Sequence, residues 1–240
     1  MRSTIIYHGP SMIDGAEIIV VATRGSKNAK TGDMVQTWIL GVDVAPHIAA
    51  RDGRDVSICG ECPLRTNSDG KRACYVRTHE APLSVWRAFH RGSYRHGDAA
   101  DVGDGAIVRM GSYGDPAAVP AHVWARLASR SIGRTGYTHQ WQHTDPVVRR
   151  NAELLRGLVM ASADSAADHT AATSAGWRTF RVRRADAPLL PLERVCPASA
   201  EAGYKTNCAA CRACSGTAGR GHSSIAIMAH GNGAKYVAAA

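Results

Sequence analysis

From Ala106 onward, short apolar runs alternate with amphipathic stretches. "AIVRMGSYGDP" reads as a strand and "AHVWARLASRS" as a helix that places Val123, Leu127 and Ile132 on one face. The unit recurs as "GYTHQWQH" then "DPVVRRNAELLRG", as "GLVMASADS" then "AADHTAATSAG", and ends on "GWRTFRVRR". Asp145-Pro146 and Ser165 stand where helix N-caps belong, and Gly157 and Gly176 where helices stop. Strand and helix alternating at ~20 to 30 residues per unit predict an α/β protein with a parallel sheet.

The flanks are less regular. "AEIIVVATRG" and "MVQTWILGVDV" predict strands, "LSVWRAFHRGS" a helix, residues 95–106 a flexible connection, and "SSIAIMAHG" a last strand. Six or more strands in one chain suit a compact or partial (β/α) barrel with Cys-rich metal-binding loops. We therefore expect a single barrel-like domain over 1–240. Its parts are an irregular cysteine-containing region (1–105), regular strand-helix units (106–195), and a C-terminal metal-binding loop with the last strand (196–240).

A chain of 240 residues buries enough core to fold without disulfide staples. No apolar run approaches the ~18 residues of a membrane span, and no leader pattern opens the chain, so the expectation is a soluble cytoplasmic protein without membrane contact. In a reducing compartment, clustered cysteines bind metal or do redox chemistry more often than they cross-link.

Cys208-x2-Cys211-x2-Cys214 places three thiols within seven residues, and a tight turn can aim them at one ion. Cys196, His222 and His230 are the candidates for a fourth ligand. Zinc is the first expectation for this set, and an iron-sulfur cluster the second. Cys59-x2-Cys62 with Cys74 forms a second set of three in a polar loop. Three ligands leave one position for a catalytic metal to use, or for a further ligand such as His79 or a cysteine of the distant set.

Working residues of such barrels lie where strands end. Ser112 and Asp115 in "GSYGDP", His139, Gln140 and Trp141 in "GYTHQWQH", and Asp164 in "ASADS" meet that rule. Asp115 and Asp164 are candidate nucleophiles or general bases, and each also stands where a helix cap belongs. On a strand, His139 and Trp141 share one face and could contact a planar base, with Ser112 and Gln140 as further substrate contacts. The formal charge of +9 attracts polyanions, nucleic acid first. Only two phenylalanines argue against an aromatic stacking sheet for RNA.

Together "SICGECPLR", "ACYV", "VRMGSYGDPAAVP", "GYTHQWQH", "GWRTFRV" and the stretch from Cys196 to His230 resemble a Cys-rich family encoded by bacteriophages and prophages. That chain order is distantly similar to the tRNA-guanine transglycosylase-like barrels, whose phage relatives insert 7-deazaguanines into DNA. This resemblance implies a transferase that exchanges guanine for a 7-deazaguanine co-substrate, in DNA rather than RNA, in the host cytoplasm. Zinc would sit on Cys208, Cys211, Cys214 and His222 or His230, with Asp115 or Asp164 as nucleophile. Cys59, Cys62 and Cys74 ahead of "GSYGDP" also resemble the order of radical enzymes that bind a 4Fe-4S cluster with S-adenosylmethionine. A zinc-stabilised, non-enzymatic nucleic-acid-binding protein is the remaining alternative.

Overall fold

Ile18, Ile19, Val20 and Val21 are each fully buried, so the strand that carries them is covered on both faces, as a central strand of a layered protein is. The computed structural model describes residues 3–25, 28–219 and 221–237. Its strands are β1 (Thr4–Pro10), β2 (Glu17–Thr23), β3 (Val35–Gly41), β4 (Arg95–His96), β5 (Ile107–Tyr113), β6 (Gly133–Thr138), β7 (Met160–Ala163), β8 (Thr179–Arg183), β9 (Glu193–Val195) and β10 (Ser224–Met228). The helices are α1 (Pro46–Asp52), α2 (Val56–Cys59), α3 (Ala81–His90), α4 (Ala99–Gly103), α5 (Ala121–Ala128), α6 (Pro146–Leu154), α7 (Ala166–Ser174) and α8 (Cys208–Cys211).

All ten strands join one sheet in the order β4-β1-β2-β3-β5-β6-β7-β8-β10-β9. β1, β2 and β3 pair antiparallel. Every pairing from β3 to β9 is parallel. The chain is therefore an α/β protein built on a mostly parallel sheet. The units β5-α5-β6-α6-β7-α7-β8 follow the expected alternation, and Asp145 and Ser165 cap α6 and α7 through Val147 N and Asp168 N. Among the described residues no helix is long and apolar enough to cross a membrane.

Val108 and Met110 of β5 bury themselves with Val123, Trp124 and Leu127 of α5 on one side of the sheet. Arg109, Gly111 and Tyr113, the alternate residues, face a cavity on the other side. Among the described residues none from α3 to α7 lines that cavity. α5 thus packs on one face of β5, and the cavity, which Cys59 of α2 and Cys208 and Cys211 of α8 also line, lies against the other.

Several local expectations are corrected. Residues 95–106 are not a free connection: they form β4 and α4, the latter capped by Asp98 through Ala100 N. α5 ends at Ala128, and Ile132 lies beyond it, 61% exposed. β6 ends at Thr138, and Gln140–Gln142 is a 3-10 turn, so the strand rule that puts His139 and Trp141 on one face does not apply. The strand β1 carries His8 and Gly9 among its apolar residues and gives little alternation to read.

Candidate functional site

Asp115 organises the end of the sheet where β5 and β6 finish. Its Oδ1 accepts from Ala117 N at 2.9 Å, which caps the following 3-10 turn begun by Pro116. Its Oδ2 accepts from His139 N at 2.7 Å and Gln140 Nε2 at 3.0 Å, and its own N–H donates to Ile58 O at 2.6 Å. The carboxylate is buried, 6% exposed at the residue level. Of the roles expected of "GSYGDP", the cap is made, and the remaining carboxylate oxygen is taken by the β6 loop.

Gln140 passes this order on to the first thiol loop. Its Nε2 also donates to Cys59 O at 2.9 Å, and its Oε1 accepts from Glu61 N at 3.1 Å. The loop turns at Gly60, whose φ of +53° and close contact with Gln140 leave no room for a Cβ. Beneath it, buried Asp55 accepts from Arg65 Nε at 2.7 Å and Arg72 Nη1 at 3.0 Å. Cys74 N donates to Leu64 O at 2.8 Å. Cys59, Cys62 and Cys74 are thereby held in one braced loop. Burial pushes the Cys59 thiol well above its ordinary pKa and raises that of Cys74, while Arg72 pulls both back.

His139 faces this loop. Its Nε2 lies 3.1 Å from Asp164 Oδ2 and 3.9 Å from Cys62 Sγ. Burial disfavours the imidazolium, but the Cys62 and Asp164 charges outweigh burial and hold the pKa well above the usual histidine value.

The second cysteine set is anchored on the segments just before β3 and β6, on β6 itself and on β10. Cys208 N donates to Lys30 O at 2.9 Å and Ala209 N to Thr31 O at 3.0 Å, just before β3. Arg212 Nη1 donates to Ile132 O at 2.8 Å, just before β6, and Gly136 N donates to Cys214 O at 3.1 Å. Cys196 N donates to Ala226 O at 2.8 Å. Asn207 caps α8 through Ala210 N. Arg178 ties the loop from inside, donating to Ala213 O, Gly216 O and Ser223 O. Burial raises the pKa of Cys196 and Cys208, and carries that of Cys214 up to about 12 against the opposing hydrogen bond from Tyr137.

All seven cysteines are free and line a single cavity of about 410 Å³. Among the described residues no three His, Cys, Asp or Glu side chains are gathered as they are around one bound ion. Ser112, Asp115, His139, Asp164 and His230 also line the cavity. Ser112 Oγ donates to Gln36 Oε1 at 2.7 Å. His222 does not reach it and lines a separate depression with Arg178 and Arg194. Gln140 and Trp141 stand behind the wall, Trp141 with its Nε1 donating to Ser162 O at 2.8 Å.

Sequence reading overlooks Tyr75 and Arg109, which line the cavity together with Lys30 of the basic stretch "RGSKNAKTGDMVQTW". Tyr75 follows Cys74 directly, and Arg109 sits two residues before Gly111 on the same strand face; those were the available signals. Set against protein-family models, curated proteins and solved structures, the chain finds no match.

Proposed function

We propose that the protein is a thiolate-ligated metalloenzyme, a partial (β/α) barrel whose interior places two sulfur sites on one small-molecule cavity. The observation that carries this reading is that cysteines from three separated stretches of chain, Cys59 to Cys74, Cys196 and Cys208 to Cys214, all line the same cavity. A curled sheet is supported by the lining itself, since one face of β5, β6, β8 and β10 contributes Arg109, Tyr137, Phe180, Val182, Ile225 and Ile227.

The two sets suit different tasks. Cys196, Cys208, Cys211 and Cys214 supply four thiolates, the donor set of a closed structural centre. Cys59, Cys62 and Cys74 supply three and leave one position toward the cavity, the condition for a reactive centre. A four-iron cluster held by Cys59, Cys62 and Cys74 would supply one electron and an open iron for a cofactor such as S-adenosylmethionine. The protein's own part is to brace the loop through Asp55 and Gln140 and to set His139 and Asp164 beside the open position. A reducing cytoplasm is the compartment this chemistry requires.

A second reading keeps a zinc-bearing base transglycosylase acting on DNA. It is favoured by Asp164, whose side chain lies on the cavity 26% exposed at the end of β7, where a nucleophile could reach an anomeric carbon. Asp115 is the weaker candidate, because its oxygens already hold three donors.

Metal and sulfide analysis with an absorption spectrum of anaerobically purified protein tests the first reading. Broad absorbance near about 400 nm, lost on replacing Cys59, Cys62 and Cys74 with alanine, is the expected result. Colourless protein carrying zinc would overturn it in favour of the second reading, which then requires base release from DNA that Asp164→Ala abolishes. Protein that takes up no metal overturns both.

A further inference from the structure

The cavity is chemically lopsided. At its His139 end stand its two carboxylates, Asp115 and Asp164, each already engaged. On its other side stand Lys30 and Arg109, and among the described residues neither makes an ion pair with a carboxylate. Arg109 is half-buried and donates from Nη2 to the Tyr75 hydroxyl at 2.6 Å. Tyr75 stacks on His230 with ring centroids 5.3 Å apart, and His230 Nε2 lies 3.3 Å from Lys30 Nζ. The remaining wall is largely thiol and hydrocarbon, including Phe180, Val182 and Ile227.

Four segments build this corner: the loop before β3, the thiol loop, β5, and the chain after β10. The Tyr75 hydroxyl accepts from Arg109 and so fixes the guanidinium without neutralising it. Stacking fixes Tyr75 in turn, and His230, whose Nδ1 lies 3.2 Å from Met228 O, turns its Nε2 toward the Lys30 ammonium. Two cations are thus oriented without a carboxylate at the edge of an apolar cavity. Tyr75 and His230 are exposed, so the corner is open for an anion to enter, and a guanidinium held by a single neutral hydrogen bond recognises a carboxylate or phosphate in two-point fashion.

We propose that Lys30, Arg109, Tyr75 and His230 form the seat for an anionic group, carboxylate or phosphate, of the molecule that occupies the cavity. The seat deepens the metalloenzyme reading by naming a substrate class: a small, partly apolar molecule, anionic at one end. With its anion on Arg109 and Lys30, its uncharged part lies along Phe180, Val182 and Ile227, inside the space that Cys62 and His139 also border.

Calorimetric titration with inorganic phosphate and, separately, with acetate, at constant ionic strength, tests this seat. Running both titrations on metal-loaded and on metal-free protein separates the seat from the metal reading, because an anion can bind whether or not the thiols hold metal. At least one anion is expected to bind with one-to-one stoichiometry, and which one binds tells phosphate from carboxylate. Arg109→Gln should weaken it at least tenfold and Lys30→Gln severalfold, while Arg150→Gln on exposed α6 leaves it unchanged. Lys30 lies in a loop, so that variant reports even if Arg109→Gln fails to fold. Absence of binding by either anion overturns the proposal, as does binding that both substitutions leave intact. Loss of metal from the four-cysteine set in these variants, with anion affinity retained, also overturns it and makes the two cations counter-charges for the thiolates.

Discussion

Cys62 and His139 belong to loops that follow different strands, β3 and β6, yet Sγ of one lies 3.9 Å from Nε2 of the other. The same nitrogen is 3.1 Å from Asp164 Oδ2. A thiol of the three-cysteine set therefore meets an imidazole that a carboxylate already orients. Groups standing behind a metal ligand tune its affinity by about 10- to 100-fold. His139→Gln should weaken metal binding at the three-cysteine set by that factor and leave the four-cysteine set unaffected. Competition with a chromophoric chelator measures both, and equal weakening at the two sets would refute a local role for His139.

Asp115 and Asp164 stand at the ends of neighbouring strand units and look alike in sequence, but they differ in what depends on them. Asp115 makes a helix cap and accepts two further hydrogen bonds that fix His139 and Gln140. A lost cap costs about 1 kcal/mol and each charge-assisted hydrogen bond about 1.5 to 3 kcal/mol. Asp115→Ala should therefore destabilise the fold by about 3 kcal/mol or more in urea denaturation. Asp164→Ala, at a partly exposed carboxylate, should cost less than about 1 kcal/mol. Matching stabilities for the two variants would show that Asp115 does not organise the loop.

How far the sequence discloses this arrangement depends on the distance over which each signal acts. Caps at Asp115, Asp145 and Ser165 are local, set by one side chain and an amide two or three residues on, and they stand where "GDP", "TDP" and "ADS" place them. The strand-helix alternation from β5 to β8 is local as well, because each helix buries one stripe against its own neighbouring strands. The short segments β4 and β9 exist only because an edge accepts them: β4 pairs with β1 far upstream, which no periodicity over two residues can announce. At the site, the two cysteine sets are legible from spacing, but their sharing of one cavity is a product of sheet order. Trp141 misleads because β6 stops at Thr138, and one residue of 3-10 turn is enough to send the indole into the core. The partnership of Gln140 with Cys59 spans 81 residues and leaves no mark on either motif.

The pair Arg181 and Glu193 makes the stability of the β8 and β9 region acid-sensitive. Arg181 Nε and Nη2 donate to the two Glu193 oxygens, each at 2.7 Å, and the glutamate side chain is fully buried. Burial, the largest single influence, would raise the Glu193 pKa, but the Arg181 hydrogen bonds, the Leu190 N–H and the Arg181 charge together outweigh it and the pKa is lowered. A lowered carboxylate pKa stabilises the folded chain above the ordinary value of about 4.3, and that contribution is lost as pH falls through the folded value. Glu193→Gln leaves a buried guanidinium without its charge partner and should cost about 3 to 5 kcal/mol at pH 7. In urea titrations the gap between parent and variant should hold from neutral pH to about pH 5 and narrow below the ordinary glutamate range. A gap that stays constant into acid would mean that the pair is not linked to folding.

Gly60 offers the sharpest separation of backbone strain from site assembly. A Cβ there would collide with the Gln140 side chain, and the backbone at φ +53°, ψ −131° lies outside the left-handed helical region, in a conformation reserved for glycine, so an L residue there costs about 1 to 3 kcal/mol. Gly92 also has a positive φ, +68°, but open space around it, so Gly92→Ala carries a positive-φ cost with no side chain displaced. Gly60→Ala must in addition push Gln140 aside, breaking its bonds to Glu61 N, Cys59 O and Asp115 together. Gly92→Ala should lose about 1 to 2 kcal/mol from the backbone, and Gly60→Ala about 1 to 3 kcal/mol with about 2 kcal/mol more for buried polar groups left unpaired. The decisive readout is local: the Cys59 thiol, buried in the parent, should react with a thiol reagent at least tenfold faster in Gly60→Ala and at the parental rate in Gly92→Ala. Metal uptake at the three-cysteine set should fall in step, because the loop that presents Cys59 and Cys62 is held to the sheet through Gln140. Unchanged thiol reactivity in Gly60→Ala would show that the loop keeps its place without that side chain, and that Asp55 with its two arginines is sufficient to hold it.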